Sequence, residues 1–289
     1  MTTEQWRTVI RRLGTLGTIR IKFQGGEPTL RPDFRELCAE AKAAGMIAAT
    51  VSHGLTILTQ PALLDYLDEL VVSLDSPDRE INDRLRGPGS YDGAVQAIDL
   101  ALQRGLRTYV NMVVVRDTLG EMEPMLEFCE ARGIMMHPQP VMFDQQSLYG
   151  QYFDDTAQHL ALTPEQTRAM HTRLIGWKRQ GRNLMFSSPA YDKATNWPDY
   201  DILTIPSNGR SSCMAGKDYI HIEPNGDVHP CGLHSADFTP KNVLKDGLDE
   251  ALLHARYHNC GDCWMVYLNE RKAVFGLKPA ALREVVRRG

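Results

Sequence analysis

Up to about residue 140 the chain alternates short β-branched runs with amphipathic helical stretches, and no other feature restricts the fold as strongly. Residues 3–13 put Trp6, Val9, Ile10 and Leu13 on one apolar helical face. Strands are expected near residues 18–24, 46–52, 70–75, 108–115 and 134–141. Helices are expected over 33–44, 61–67, 92–104 and 121–132, with Gly45, Gly105 and Gly133 as their stops. Repeated strand–helix units with short connections require a parallel sheet with helices outside it, hence an α/β fold.

The polar punctuation of this region falls at the C-terminal ends of the expected strands: Gln24-Gly25-Gly26-Glu27, Ser52-His53-Gly54, Ser73-Leu74-Asp75 and Gln139-Pro140. That edge is where parallel α/β folds bind ligands, because loops and helix N-termini converge there. In the first of these stretches two glycines let main-chain groups approach a ligand without a Cβ in the way. The carboxylate beside them suits a cationic group.

From residue 142 to 206 the pattern is less regular, apart from one helix over 165–180 with Thr163 as N-cap and Pro164 at its first position. Beyond Pro206-Ser207-Asn208-Gly209 the character changes again. The runs 219–222 and 227–229, joined through Asn225-Gly226, read as a β-hairpin. Three segments follow: a strand–helix region over 1–141, a connection over 142–206 and a small α+β domain over 207–289.

A formal charge of -4 with no long basic run argues against nucleic acid as a partner. No apolar stretch reaches bilayer-spanning length and the N-terminus reads as an amphipathic helix, so no membrane association and a cytoplasmic location are expected. In that compartment six cysteines are not expected to form a disulfide framework. Cys38 and Cys129 stand alone on expected helices and read as packed thiols. Cys213, Cys231, Cys260 and Cys263 all fall in the last third. The Cys260-Gly-Asp-Cys263 spacing lets two thiolates reach one centre, and the hairpin brings Cys213 and Cys231 towards each other. Four thiolates suit tetrahedral zinc or an iron–sulfur cubane equally.

The stretch Phe23-Gln24-Gly25-Gly26-Glu27-Pro28-Thr29-Leu30 closely resembles the segment by which radical S-adenosylmethionine enzymes hold the methionine amine. Ser73-Leu74-Asp75-Ser76-Pro77, then Asn82-Asp83-Arg84-Leu85-Arg86-Gly87, Gly89-Ser90-Tyr91-Asp92 and Asn111-Met112-Val113-Val114-Val115 continue the likeness in order. The resemblance implies an incomplete (β/α)6 partial barrel in which Gly25, Gly26 and Glu27 take the amine of S-adenosylmethionine. Gln24, Ser73 and Arg86 would meet its carboxylate or ribose, with Pro28 and Asp75 in the same motifs. Cys213, Cys231, Cys260 and Cys263 resemble, in order and surroundings, the SPASM and twitch domains that follow many such barrels. Four cysteines fit the single-cluster twitch type, which implies one auxiliary [4Fe–4S] centre, with zinc as the alternative.

One departure stands out. The family's Cys-x-x-x-Cys-x-x-Cys loop, which holds the [4Fe–4S] centre that activates S-adenosylmethionine, is absent from the sequence. The order of elements leads us to expect that the first strand and that loop are missing, about 20–30 residues of a βαβ start. Loss in a degenerate, non-catalytic relative is the alternative. The resemblance further implies a reductant such as flavodoxin or ferredoxin, a peptide or small-molecule substrate, and no turnover by this chain alone.

Overall fold

A computed structural model describes residues 1–141, 155–207, 213–233 and 238–286. Asn208, Gly209 and His234, along with most of the first part of the expected connection, lie outside the described residues. The chain divides into two compact units, one of residues 1–114 and 118–139, the other of 115–117 and 140–289.

The first unit opens with α1 (Thr3–Thr15), whose Thr2 and Gln5 form a reciprocal capping box. Then come β1 (Arg20–Phe23), α2 (Phe34–Ala43), β2 (Ile47–Ser52), α3 (Leu55–Thr59), β3 (Glu69–Ser73), α4 (Arg79–Arg86), α5 (Ser90–Gln103), β4 (Arg107–Val114), α6 (Met122–Glu130) and β5 (Met135–Pro140). The five strands make one sheet in the order β1-β2-β3-β4-β5, and the β1–β2, β2–β3 and β3–β4 pairs are parallel. The sheet is open, with β1 and β5 as its edges. Leu70, Val71 and Val72 of β3 are all buried, as a strand covered on both faces requires. Each fully buried side chain of this kind contributes roughly 1.5–3 kcal/mol over an exposed one. Helices α1 and α2 are tied by Glu40, which accepts from both Arg7 (3.0 Å) and Arg11 (2.7 Å). These guanidinium contacts, Arg11 first, hold the Glu40 carboxyl below its usual range.

Two elements differ from the sequence expectation. The stretch expected as a helix over 61–67 is a 3₁₀ turn, Pro61–Tyr66, preceded by α3. Proline disfavours helix at Gln60, so the helix breaks there and restarts. Helix α4 was not expected because only Ile81 and Leu85 mark its apolar face. It is nucleated by the Asp78 carboxylate, which accepts from the Ile81 N–H at 3.0 Å.

The second unit holds α7 (Pro164–Arg179), α8 (Ser188–Thr195), β6 (Thr204–Pro206), β7 (His221–Ile222), β8 (Asp227–His229), β9 (Lys241–Asn242), α9 (Leu248–Ala255), β10 (Cys260–Cys263), α10 (Val266–Phe275) and α11 (Pro279–Val286). Thr163 and Gln166 form the capping box that opens α7, with Pro164 at its first position. The expected hairpin exists as β7 and β8, with β9 added to its other side. Trp197, Tyr200, Leu203, Cys231, Cys263, Trp264 and Leu268 share one core, so side chains from the stretch before residue 207 pack with those after it. Among the described residues, no helix is long and apolar enough to cross a membrane.

Candidate functional site

At the end of β1, Gln24, Gly25 and Gly26 lie exposed. Gly25 has φ 148°, a conformation open to glycine, and a Cβ on either glycine would meet nothing within 4 Å. The two glycines therefore present bare main chain to solvent and not to a packed neighbour. Glu27 turns the other way and its side chain is only 6% exposed. It caps the 3₁₀ turn Pro28–Leu30, where Pro28 occupies the first position. One carboxylate oxygen accepts from the Thr29 N–H (3.2 Å) and hydroxyl (2.5 Å). The other accepts from the His53 N–H at 2.8 Å and faces the His53 Nε2 at 3.3 Å. Glu27 thus ties the end of β1 to the end of β2.

Ser73 ends β3, opposite Asn111 of β4. Asp75, 6% exposed, is held on every side. Its N–H donates to the Asn82 Oδ1 (3.0 Å), and its carboxylate accepts from the Val113 N–H (2.7 Å) and the Arg86 Nη2 (2.9 Å). The Arg86 Nε lies 2.6 Å from the second oxygen. Arg86 therefore pairs with Asp75 through one hydrogen bond from Nη2, with Nε close to the second oxygen. It also sits in the last turn of α4, where the helix dipole favours a cation. Asp83 gathers the Tyr91 N–H (2.8 Å), the Gly89 N–H (2.8 Å) and the Ser90 hydroxyl (3.0 Å), which hold its carboxyl below the usual range.

The sequence reading leaves out Asn82, Asp83 and His53 as ties of this edge. Ser52-His53-Gly54 is visible as punctuation, but nothing in the sequence joins His53 to Glu27.

In the second unit Cys231 and Cys263 share one core, with Cys213 packed against it. Cys260 and Cys263 stand at the two ends of β10, which runs antiparallel to β6 with a register shift between Cys260 and Asp262. Residues three apart on a regular strand face opposite ways; the irregularity changes that alternation. Gly261 makes it feasible, because a Cβ there would sit 2.8 Å from the Pro206 carbonyl oxygen. The Cys260 S–H points to the Asp262 carbonyl at 3.9 Å. The neighbouring Cys260, with help from the Ala215 main chain, lowers the Cys213 pKa against the effect of burial. Cys260 is pushed up by Cys213 first and then by burial, and Cys263 is pushed up by burial first.

The scaffold around the thiols is well tied. The His258 Nε2 bonds the Ala215 carbonyl (3.0 Å), while its Nδ1 accepts from the Cys260 N–H (3.2 Å). Asp262 accepts from the Cys263 N–H (3.0 Å) and is flanked by Lys272 (3.2 Å) and Lys193 (2.6 Å). Among the described residues, no three His, Cys, Asp or Glu side chains already stand as a metal-holding group. Cys38 and Cys129 are fully buried, with pKa values raised to about 12 by burial, and behave as packed thiols. Of the other histidines here, His221 bonds Glu223 (2.7 Å) and His254 the Thr239 carbonyl (2.9 Å), while burial lowers the pKa of His229.

The first unit is thus an α/β fold built on an open parallel sheet with a bare glycine edge. Residues 1–129 match the profile of the radical SAM superfamily. It is 26% identical over 253 residues to the mycofactocin maturase MftC of Mycobacterium tuberculosis (strain H37Rv), covering 86% of this chain and 61% of that protein. It is 26% identical over 292 residues to the PqqA peptide cyclase of Rhizobium meliloti, covering 95% and 72% respectively. The chain thus spans about three fifths of the length of the mycofactocin maturases it matches. Among solved structures, Streptococcus suis SuiB bound to S-adenosylmethionine superposes with a TM-score of 0.64 at 17% identity, over 88% of this chain and 58% of that one. At that identity the likeness is one of fold.

Proposed function

We propose that this chain carries the S-adenosylmethionine cradle and the auxiliary thiol site of a radical SAM peptide maturase. The observation that carries the reading is the exposed Gly25–Gly26 edge at the C-terminal end of a parallel sheet, in one chain with the gathered Cys213, Cys231, Cys260 and Cys263. Peptide is the favoured substrate class because relatives of similar length of match are a PqqA peptide cyclase and a mycofactocin maturase.

The residues present fit the nucleotide. Gly25 and Gly26 offer main-chain groups without a side chain in the way, while Gln24 and Ser73 place polar groups at the same sheet edge. Arg86 brings a cation there, already oriented by Asp75. S-adenosylmethionine, held with a reduced [4Fe–4S] centre, would supply radical chemistry for removal of a substrate hydrogen. The protein's part is to bind, orient and exclude water. The six cysteines of this chain include no Cys-x-x-x-Cys-x-x-Cys triplet, so this chain by itself binds the nucleotide without cleaving it.

The donor set of the second unit is four soft thiols whose ionisations are mutually linked, which suits an iron–sulfur centre or zinc. We favour the auxiliary [4Fe–4S] centre because it accompanies the radical SAM sheet. Cys213, Cys231, Cys260 and Cys263 would hold it, and an external reductant of the flavodoxin or ferredoxin kind would serve it. Anaerobic reconstitution with iron and sulfide, followed by metal analysis and S-adenosylmethionine titration, tests both halves. The reading predicts iron retained in the chain and saturable nucleotide binding with no 5′-deoxyadenosine. A chain that takes up zinc and rejects iron refutes the cluster, and a chain that binds no nucleotide refutes the cradle.

A further inference from the structure

We propose that His53 is a positioning residue for the glycine edge, acting through Glu27, an inference that rests on the S-adenosylmethionine reading above. A carboxylate offers about four lone-pair sites. The Glu27 carboxylate accepts from the Thr29 N–H, the Thr29 hydroxyl and the His53 N–H, and the His53 Nε2 stands 3.3 Å from the oxygen that takes the His53 N–H. Glu27 is therefore a brace that fixes where Gly25 and Gly26 run, and its negative charge reaches a bound ammonium through space without a direct bond.

The imidazole is set for this task. Its Nδ1 accepts from the Leu55 N–H at 3.1 Å, so in the neutral ring the proton sits on Nε2, on the side of Glu27. The turn that carries it has little freedom. Gly54 has φ 92°, and a Cβ there would come within 2.8 Å of the Ala97 Cβ and 2.9 Å of the Gly93 carbonyl oxygen, so the turn lies hard against α5. The Gly54 N–H also donates to the Ser52 hydroxyl at 3.0 Å. Beneath the brace, the Thr50 hydroxyl donates to the Phe23 carbonyl (3.2 Å), which locks β1 and β2 in register. A rigid turn on β2 thus dictates the carboxylate, and the carboxylate dictates the path of the bare backbone on β1.

The test uses the full chain, the variants His53→Ala and His53→Gln, and two probes: S-adenosylmethionine, and methylthioadenosine, which lacks the amino-acid moiety. Nitrogen-15 NMR of the His53 ring at mildly alkaline pH is expected to show the Nε2–H tautomer. His53→Ala should weaken S-adenosylmethionine about threefold, the size of one partly exposed charge contact, since the main-chain tie from residue 53 remains. His53→Gln, which keeps an N–H donor, should recover most of that loss, and methylthioadenosine should bind all three proteins alike. An Nδ1–H tautomer, unchanged S-adenosylmethionine binding in His53→Ala, or equal loss of both probes overturns the positioning role while the cradle stands. Failure of the wild-type chain to bind either probe overturns the cradle itself and this inference with it.

Discussion

The Asp75→Ala substitution tests the architecture of the sheet edge most directly. Asp75 is 6% exposed and holds three groups: the Val113 N–H at 2.7 Å, the Arg86 Nη2 at 2.9 Å and the Arg86 Nε at 2.6 Å. Removing one partner of a buried ion pair costs about 3–5 kcal/mol. Arg86 keeps 24% of its side chain in solvent, so water restores part of its solvation and the low end applies. The Val113 N–H, left without its acceptor, falls within the same loss, for a total of about 3 kcal/mol. With a urea slope of about 1–3 kcal/mol/M, the midpoint of the first unit's transition should fall by roughly 1–3 M. Arg86→Met should cost less, about 2 kcal/mol, because Asp75 keeps the Val113 N–H. The double variant should be less damaged than the sum of the two by at least about 1 kcal/mol, since it leaves no unpaired charge. Far-UV circular dichroism over the urea series gives all four values. An Asp75→Ala loss below about 0.5 kcal/mol, or strict additivity, would refute the reasoning that Asp75 and Arg86 are a desolvated, mutually dependent pair.

Other outcomes follow from single observations. His171 is 1% exposed and stacks on Tyr200, and burial holds its pKa down to about 3 against about 6.5 in an unfolded chain. The unfolded state binds the extra proton in that window, so the second unit should lose up to about 1.4 kcal/mol per pH unit as the pH falls below about 6.5. His171→Phe should flatten that slope, and an unchanged slope in thermal melts across the window would exclude His171 as its source. A Cβ on Gly216, which has φ 71°, would overlap the Ala255 carbonyl. Gly216→Ala should therefore separate the Cys213 segment from α9 and lower iron retention, read by metal analysis. Cys260→Ala removes the side chain whose contact lowers the Cys213 pKa, so the Cys213 thiol of the metal-free protein should lose alkylation reactivity near neutral pH.

The alternation of strands and helices over the first part of the chain was legible because side-chain period is a local property. Apolar spacing, Gly45, Gly105 and Gly133 as helix stops, and the Thr163–Pro164 start need no distant partner. The edge of the sheet was legible for the same reason, since strand direction alone sends Gln24–Glu27 and Ser73–Asp75 to one side. Helix α4 escaped because its apolar signal is a single pair, Ile81 and Leu85, while its start is marked by a capping carboxylate.

Partnership was not legible. Glu27 reads as a free acid beside two glycines, and only the parallel register of β1 and β2 brings His53 within 2.8 Å of it. Asp75 and Arg86 read as two ligand contacts, while the packing of α4 against the strand ends joins them to each other. Cys260 and Cys263 read as a metal-binding turn, yet they lie on a strand whose register is broken at a glycine with no room for a Cβ. Local periodicity decides which segments are strands and helices. Which charges, donors and thiols meet is decided by register and packing, because those contacts join residues far apart in the chain.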